Sequence, residues 1–379
     1  MHIAFCEAHY DSYSGAQQSM EPLISRSNFE EVTVITPDQG KFSDSLKRGN
    51  SNFKILKLGS DVHTLQDNIR SANPLTRAKR GLELTVYYKD VLSYLTTSGI
   101  DIVYCNNLTS LWLYGPPAVI ARKPVIWFVR SDSGLYPQLN RLGTHIADRV
   151  ILISTGVSSR FGAESVEELG DKFHVINTGI DIEEFANADP RGSDDSPLNI
   201  LHIGTIQPRK NQHGLVKAVE AVSDRLPEFE LRFAGSVASG HEDYYESLHD
   251  LIEQSSIKDR IELLGYREDI PELLHESDFV VLPSTSEGLP RAVLEAAATG
   301  TPSIATRVGG AEEIITDGEN GYLVDIGDQE SLSQRIISLA SSPELRNEMG
   351  VRARETVIDQ FTVENYVDNF EQFVRNRYQ

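Results

Sequence analysis

A chain of 379 residues is longer than one ordinary core supports and points to two domains. Its hydrophobic fraction of 40% places it among globular rather than disordered chains, and a formal net charge of −21 makes nucleic acid an unfavourable partner for the chain as a whole. No apolar run approaches a membrane span and the N-terminus reads as a strand rather than a signal peptide, so a cytoplasmic protein is expected.

The excess of acid is also what a high-salt cytoplasm selects, in a range that ordinary acidic proteins share. Cys6 and Cys105 lie in or beside apolar strand patterns and read as core or site-lining thiols, with neither a disulfide scaffold nor a zinc site in view.

The first predicted strand, His2 to Cys6, leads through a loop with Ser14 and Gly15 into a helical stretch ending near Arg26, then into a second strand, Val32 to Thr36. Strand, glycine-containing loop, helix and strand make a βαβ unit, from which a parallel sheet follows. From Arg70 to Lys89 the bases Arg77, Lys79, Arg80 and Lys89 alternate with Leu82, Leu84, Val86 and Tyr87. Two readings of this basic helix stand: contact with an anionic membrane surface or a lipid-phosphate acceptor, and a plain surface helix. Further strands are predicted at 102–105, 124–129, 149–154 and 173–176. The second of these ends in Arg130-Ser131-Asp132. A guanidinium cannot act as a base, but it can hold a phosphate or a carboxylate.

The polar stretch Asp189 to Pro197 reads as a surface loop, and a new strand starts at once, Leu198 to Ile203. It runs into Gly204-Thr205-Ile206-Gln207-Pro208-Arg209-Lys210-Asn211 and a helix over 212–222. Arg209 and Lys210 put a fork and a point charge side by side at a strand end, a pairing that suits a phosphate. Gly204 lets the backbone come close. A strand and turn over 230–236, a further strand over 260–267 and a short helix over 270–274 follow.

The stretch Val280 to Gly300 reads as strand, loop, helix and stop. Pro290 suits a first helical turn, and Gly300 with Pro302 ends the helix. Glu287 sits in the loop and Glu295 about two turns into the helix, near the same strand edge. The N–H groups from Gly288 to Arg291 are the donors of a helix start, which favours anions and polar oxygens. Beyond lie a strand over 302–306, the loop Val308-Gly309-Gly310-Ala311-Glu312-Glu313, a strand over 321–324, and helices over 329–340, 343–361 and 363–378. In the last, Tyr366, Phe370 and Phe373 recur at helical spacing and read as core.

Glu287 and Glu295, with Pro283-Ser284 before them and Ala296 after, stand in the E-x7-E spacing of retaining glycosyltransferases of family 4, which this chain resembles. Gly204 to Asn211 is similar to that family's G-T-L-x-P-R-K-N loop, and Gly309 to Glu313 to its G-G-x-x-E loop. Asn177-Thr178-Gly179-Ile180-Asp181 resembles its N-G-I-D turn with one residue inserted. The resemblance spans nearly the whole chain, closely from Gly204 to Val324 and loosely before.

The resemblance implies an α/β protein of GT-B fold, two Rossmann-like doubly wound domains facing across a cleft. The first would be the acceptor domain, 1–178, completed by a helix at 359–379; the second, 179–358, would hold the donor. It implies transfer of a sugar, with retention, from a UDP- or GDP-linked donor to a glycan, polysaccharide or lipid-linked hydroxyl acceptor, without a cofactor or a metal. Glu287, Arg209 and Lys210 would be catalytic. Gly15, Gly204, Thr205, Tyr266, Arg267, Gly288, Leu289, Pro290 and Glu295 would bind the donor, with the base against Tyr266-Arg267, the sugar hydroxyls on Glu287 and the ribose diol on Glu295. Arg130 and Asp132 would face the acceptor, at the inner face of the cell membrane if the basic helix makes peripheral contact.

Two departures stand out. Ser14 replaces the first of a glycine pair expected near the diphosphate, and Arg130 stands where many relatives carry a histidine. They leave a second reading open, a catalytically silent sugar-nucleotide-binding or scaffold subunit on the same fold.

Overall fold

A computed structural model describes residues 1–11, 15–46, 52–56, 74–130, 137–162, 170–186 and 196–378. Ser14, Asp132 and most of the loop from Asp189 to Pro197 lie outside the described residues, as do the side chains of Arg77, Lys79 and Arg80. The chain divides into two compact units. Unit 1 holds Met1–Ile153, Val157–Ile176 and Val367–Gln379; unit 2 holds Ser154–Gly156 and Asn177–Tyr366.

Unit 1 is built in the order β1 (His2–Cys6), α1 (Gly15–Ser25), β2 (Glu31–Thr36), α2 (Lys41–Leu46), β3 (Asn52–Ile55), α3 (Pro74–Thr97), β4 (Ile102–Cys105), α4 (Leu108–Ile120), β5 (Val125–Val129), α5 (Pro137–Ile146), β6 (Arg149–Leu152) and β7 (Phe173–Val175). Its strands form one parallel sheet, ordered β3-β2-β1-β4-β5-β6-β7. The central strands β1, β4 and β5 are buried along their whole length, which is why each, His2 aside, is an apolar run rather than an alternating one. Cys6 and Cys105 are register partners on β1 and β4, both buried and both free. Burial pushes both thiols up, so they are inert core groups.

Helix α4 was not legible in the sequence, because Pro116 and Pro117 lie inside it. A proline there removes the donor for the carbonyl one turn back. For Pro116 that carbonyl is Trp112 O, and the Tyr88 hydroxyl of α3 donates to it. The neighbouring helix thus mends the gap, and α4 packs on β4, β5, α3 and α5.

Unit 2 repeats the plan: β8 (Leu198–Ile203), α6 (Gln212–Glu220), β9 (Phe229–Ala234), α7 (Glu242–Gln254), β10 (Ile261–Gly265), α8 (Ile270–His275), β11 (Phe279–Leu282), α9 (Arg291–Thr299), β12 (Ser303–Thr306), α10 (Ala311–Ile314), β13 (Tyr322–Val324), α11 (Gln329–Ala340), α12 (Pro343–Gln360) and α13 (Val363–Tyr378). Its parallel sheet runs β10-β9-β8-β11-β12-β13. One core joins Ile200, Leu215, Phe229, Leu231, Phe279, Val281, Ile304 and Ile336 between sheet and helices.

Both sheets are doubly wound. The order reverses between β1 and β4 in unit 1 and between β8 and β11 in unit 2. Such a reversal leaves a crevice at the carboxyl ends of the two strands, the usual seat of a ligand in this architecture.

Helix α13 leaves unit 2 after Tyr366 and finishes in unit 1. Its Phe370 is fully buried there, with its ring centroid 5.6 Å from Tyr104 and 6.1 Å from Phe5, and Phe29 edge-on at 6.2 Å. Replacing a buried phenylalanine by alanine costs about 3–5 kcal/mol. Phe370→Ala should therefore lower amide hydrogen-exchange protection in β1 and β4 while β8 to β11 stay protected. Equal losses in both sheets would show that α13 is not a private part of the unit 1 core.

Candidate active site

The candidate site lies where β8 and β11 end side by side in unit 2. Leu201 and Val280 are register partners, so the loops that follow emerge together. Thr285 N donates to Arg209 O at 2.7 Å, and Asn211 Nδ2 to Pro283 O at 3.3 Å, which fixes one loop against the other.

Gly204 starts the first loop with φ 154°, and a Cβ there would stand 3.1 Å from Lys210 Cε. Lys210 folds back over this glycine and is buried. Its Nζ donates to Glu287 Oε1 at 2.6 Å, and Ser284 Oγ donates to the same oxygen at 2.7 Å. Arg209 reaches Glu287 Oε2 at 3.2 Å and Ser286 O at 3.0 Å from one nitrogen, Nη1. The Lys210 and Glu287 side chains are only 11% and 9% exposed, whereas Arg209 is 44% exposed. Burial works against the Glu287 charge, but Lys210 first and Arg209 next outweigh it and hold the carboxyl below its ordinary value.

Beneath the pair lies a residue whose role the sequence did not reveal. His202 on β8 is fully buried, its Nδ1 2.9 Å from Val281 O and its Nε2 3.3 Å from Gln212 Nε2. With a carbonyl at one nitrogen and an amide donor at the other, the ring is neutral and protonated on Nδ1. Burial, and then the Lys210 charge, pull its pKa down to about 4. Gln212 passes the order on by donating to Thr205 O at 3.1 Å. Thr205 is exposed, and its hydroxyl accepts from Gln207.

The second carboxylate behaves differently. Glu295 on α9 is largely buried and accepts from Arg291 Nε at 2.6 Å, one turn earlier. Burial raises its pKa, and Arg291 offsets only part of the rise. Pro290 is the N-cap of α9, one position before the first turn where its chemistry placed it, and no side chain caps the helix. Gly300 ends α9 in the left-handed conformation, as expected.

The loop after β12 braces this segment from behind. Gly309 has φ 53°, and a Cβ on it would come within 2.2 Å of Glu287 O and 2.5 Å of Gly288 O. Gly310 N donates to Gly288 O at 2.7 Å. Gly309 is thus explained by backbone lying on backbone, and Gly310 by side chains, since a Cβ there would stand 2.6 Å from Leu289 Cδ1 and 2.7 Å from Ser154 Cβ. Leu289 is buried beside them.

Tyr266 follows β10 and is 70% exposed, unusual for so large a ring. Arg267 pairs with Asp269, Nε to Oδ1 at 2.7 Å. In unit 1, Gly15 opens α1 with nothing within 4 Å of where a Cβ would be. Arg130 points into its own unit: Nε donates to Asn106 Oδ1 at 2.9 Å, Nη2 to the Tyr104 hydroxyl at 3.1 Å, and Nη1 to Ser19 Oγ. Of the expected residues the structure therefore gathers Gly204, Thr205, Arg209, Lys210, Glu287, Gly288, Leu289, Pro290 and Glu295 around one sheet reversal. Tyr266 and Arg267 follow β10, at the edge of that sheet.

Two parallel sheets, each doubly wound, make this a protein of the two-domain Rossmann-like GT-B class. Solved structures agree on the fold: Anabaena Alr3699/HepE in complex with UDP superposes with a TM-score of 0.81 at 20% identity, over 99% of this chain and 100% of that one. Residues 184–356 match the family described as glycosyl transferases group 1. N-acetyl-alpha-D-glucosaminyl L-malate synthase of Bacillus anthracis is 34% identical over 180 residues, 48% of this chain and 46% of that protein's length. Putative glycosyltransferase EpsD of Bacillus subtilis (strain 168) is 26% identical over 325 residues, 79% of this chain and 84% of its own. The second half of the chain is thus similar to the group 1 glycosyl transferases.

The depressed carboxyl of Glu287 gives a test by acid. Its ordinary pKa is 4.5 and its folded value is lower, so its stabilisation is complete above about pH 4.5 and drains away as pH falls through the folded value. Glu287→Gln should cost about 3 kcal/mol at pH 7, the low end for a broken buried pair because the amide oxygen still accepts from Lys210. Denaturant titrations of both proteins from pH 7 to 3 should show that gap closing in acid. A gap independent of pH would mean the charge is not what holds the pair.

Proposed function

We propose that this chain transfers a sugar from a nucleotide-diphosphate sugar to a hydroxyl acceptor with retention at the anomeric carbon. The observation that carries this reading is the Lys210–Glu287–Arg209 triad at the reversal of the donor sheet. Two cations and one carboxylate leave one net positive charge, held in place before any ligand arrives. Among the described residues Lys210 keeps N–H donors beyond the one given to Glu287, and Arg209 engages through Nη1. Phosphate oxygens can therefore bind without dismantling the triad.

In the reaction the bond from the anomeric carbon to the diphosphate oxygen breaks. A bond from that carbon to the acceptor oxygen forms on the same face, and the acceptor's proton leaves with the diphosphate. Charge grows on the leaving oxygens as the bond breaks, and preorganised cations stabilise that state more than the bound donor. Among the described residues Glu287 Oε2 accepts one bond, of 3.2 Å from Arg209, and it retains capacity for a sugar hydroxyl. Glu295, whose Oε1 takes the bond from Arg291, suits the ribose diol through its second oxygen, and the exposed Tyr266 ring offers a face for the base. Because Arg209 and Lys210 supply the positive charge, the reaction needs no metal.

UDP is the nucleotide in the HepE structure, and a UDP- or GDP-linked sugar is the donor proposed here. The acceptor is a glycan or a lipid-linked sugar. For a lipid-linked one, α3 is the surface proposed to meet the membrane: Leu82 is 67% and Val86 55% exposed on it, and its sequence carries Arg77, Lys79, Arg80 and Lys89. Among the described residues no helix is long and apolar enough to cross a membrane.

Lys210→Ala is the sharpest test. Losing one preorganised donor of this kind costs about 10²–10³ in rate. Transfer from a nucleotide-sugar panel should fall by that much while UDP binding weakens less, and Lys210→Arg should rescue only part because a fork does not reproduce a point charge. Wild-type transfer should persist in chelator. Abolition by chelator, or an unaffected alanine variant, would place the diphosphate elsewhere.

A further inference from the structure

Helix α9 begins against its own electrostatics. The aligned peptide dipoles put partial positive charge at a helix start, which favours acids there and disfavours cations. The first turn of α9 carries no acid, and its first residue is Arg291. Arg291 pairs with Glu295 one turn on, Nε to Oε1 at 2.6 Å. Cation before acid is the weaker of the two orders that such a pair can take along a helix. Helix stability therefore accounts for neither the residue nor its direction.

The carboxylate explains the cation. Burial drives Glu295 toward its neutral form, and Arg291 is the strongest influence against it. Two other charges bear on Glu295 from elements outside α9. Glu184 stands exposed on the turn Glu183–Phe185, which packs on α9, and adds to the rise; Lys210, on the loop after β8, opposes it least. On the neighbouring helices, His275 of α8 meets Phe185 O at 3.0 Å, and Arg354 of α12 donates to Ala298 O at the far end of α9. The balance at Glu295 thus turns on Arg291 against burial and Glu184. The ionisation matters to a ligand, because a ribose diol has two hydroxyls to donate. A carboxylate accepts at about four lone-pair sites, of which Arg291 takes one, whereas protonation turns one oxygen into a donor facing the diol.

We propose that Arg291 is a positioning residue for nucleotide recognition: it keeps Glu295 a carboxylate and fixes its rotamer, and so creates the preference for a ribonucleotide over its 2′-deoxy form. This rests on the sugar-transfer reading and adds to it the residue on which the choice of pentose depends. Arg291 acts through Glu295 and not on the diphosphate, which Arg209 and Lys210 serve. Exposed Glu184 weakens the arrangement in acid, and Arg291 is what offsets it.

The experiment is calorimetric binding of UDP and 2′-deoxy-UDP between pH 5.5 and 8.5, with GDP and its 2′-deoxy form in their place if GDP binds more tightly. The ratio of the two affinities is read, because titration of the diphosphate itself cancels between them. The wild type should prefer the ribonucleotide about 10-fold at pH 7.5, the worth of one hydrogen bond. Arg291→Met should bring the pair within about 2-fold at that pH and regain the preference as pH rises, since Glu295 then ionises unaided. Arg291→Lys should keep most of the preference, because the charge remains. Glu184→Gln, on an exposed turn, tests the same balance without touching α9: it should carry the wild-type preference to lower pH. A part in helix stability alone would shift the melting temperature and leave the ratio unmoved. An unmoved ratio in Arg291→Met, an equal loss of both nucleotides, a lost preference that no pH restores, or a wild type without preference would each overturn the inference. If the wild type binds neither UDP nor GDP, the sugar-transfer reading itself falls and takes this inference with it.

Discussion

The ion pair between Lys210 and Glu287 is the constraint on which unit 2 depends. It forms because β8 and β11, far apart in sequence, are neighbours in the sheet, and because each is followed by a loop that turns inward. Gly204 makes room for the lysine stem, and Gly309 lets the next loop lie on the backbone of Glu287. His202 stays neutral below, which spares the lysine a second buried cation. A buried pair of this kind adds little net stability, and well-packed apolar residues would serve a core as well. Its presence at the mouth of a strand reversal is better explained by chemistry than by folding.

What the sequence disclosed follows from how local each signal is. The run from Gly204 to Asn211 carries its glycine, its proline and both cations within one turn, and the stretch from Val280 to Gly300 announces strand, loop, helix and stop in order. Such segments can be read without knowing their neighbours. Glu7 could not: it is one acid beside one strand, and its meaning comes from Asn106, 99 residues away. His202 is likewise one residue in an apolar strand until Val281 and Gln212 are set beside it. Helix α4 was hidden by its prolines, whose cost is met by a tyrosine from another helix. Arg130 was visible as a residue, but nothing in sequence tells which way a guanidinium turns. Asp132 lies outside the described residues.

The two units use the same architecture for opposite electrostatic ends. At the reversal in unit 2 a carboxylate is outnumbered by cations, which suits a polyanionic ligand. At the reversal in unit 1 a buried carboxylate, Glu7, accepts from two side-chain amides and a backbone N–H, and the guanidinium near it, of Arg130, is bonded to one of those amides. One scaffold can host both because strand order fixes only where the crevice falls, while the residues just past the strands decide its polarity.

The route of α13 has a consequence for how the protein is made. Domains commonly fold in the order in which they leave the ribosome, the N-terminal one first. Here the first unit to be synthesised cannot finish early, because Phe370, which packs against Phe5 and Tyr104, is encoded after the whole of unit 2. Most of unit 2, by contrast, is one continuous segment from Asn177 to Tyr366 and can assemble as it emerges. The nascent chain therefore carries an open apolar seam through most of its elongation, and it is in this interval that a chaperone would find the most to hold.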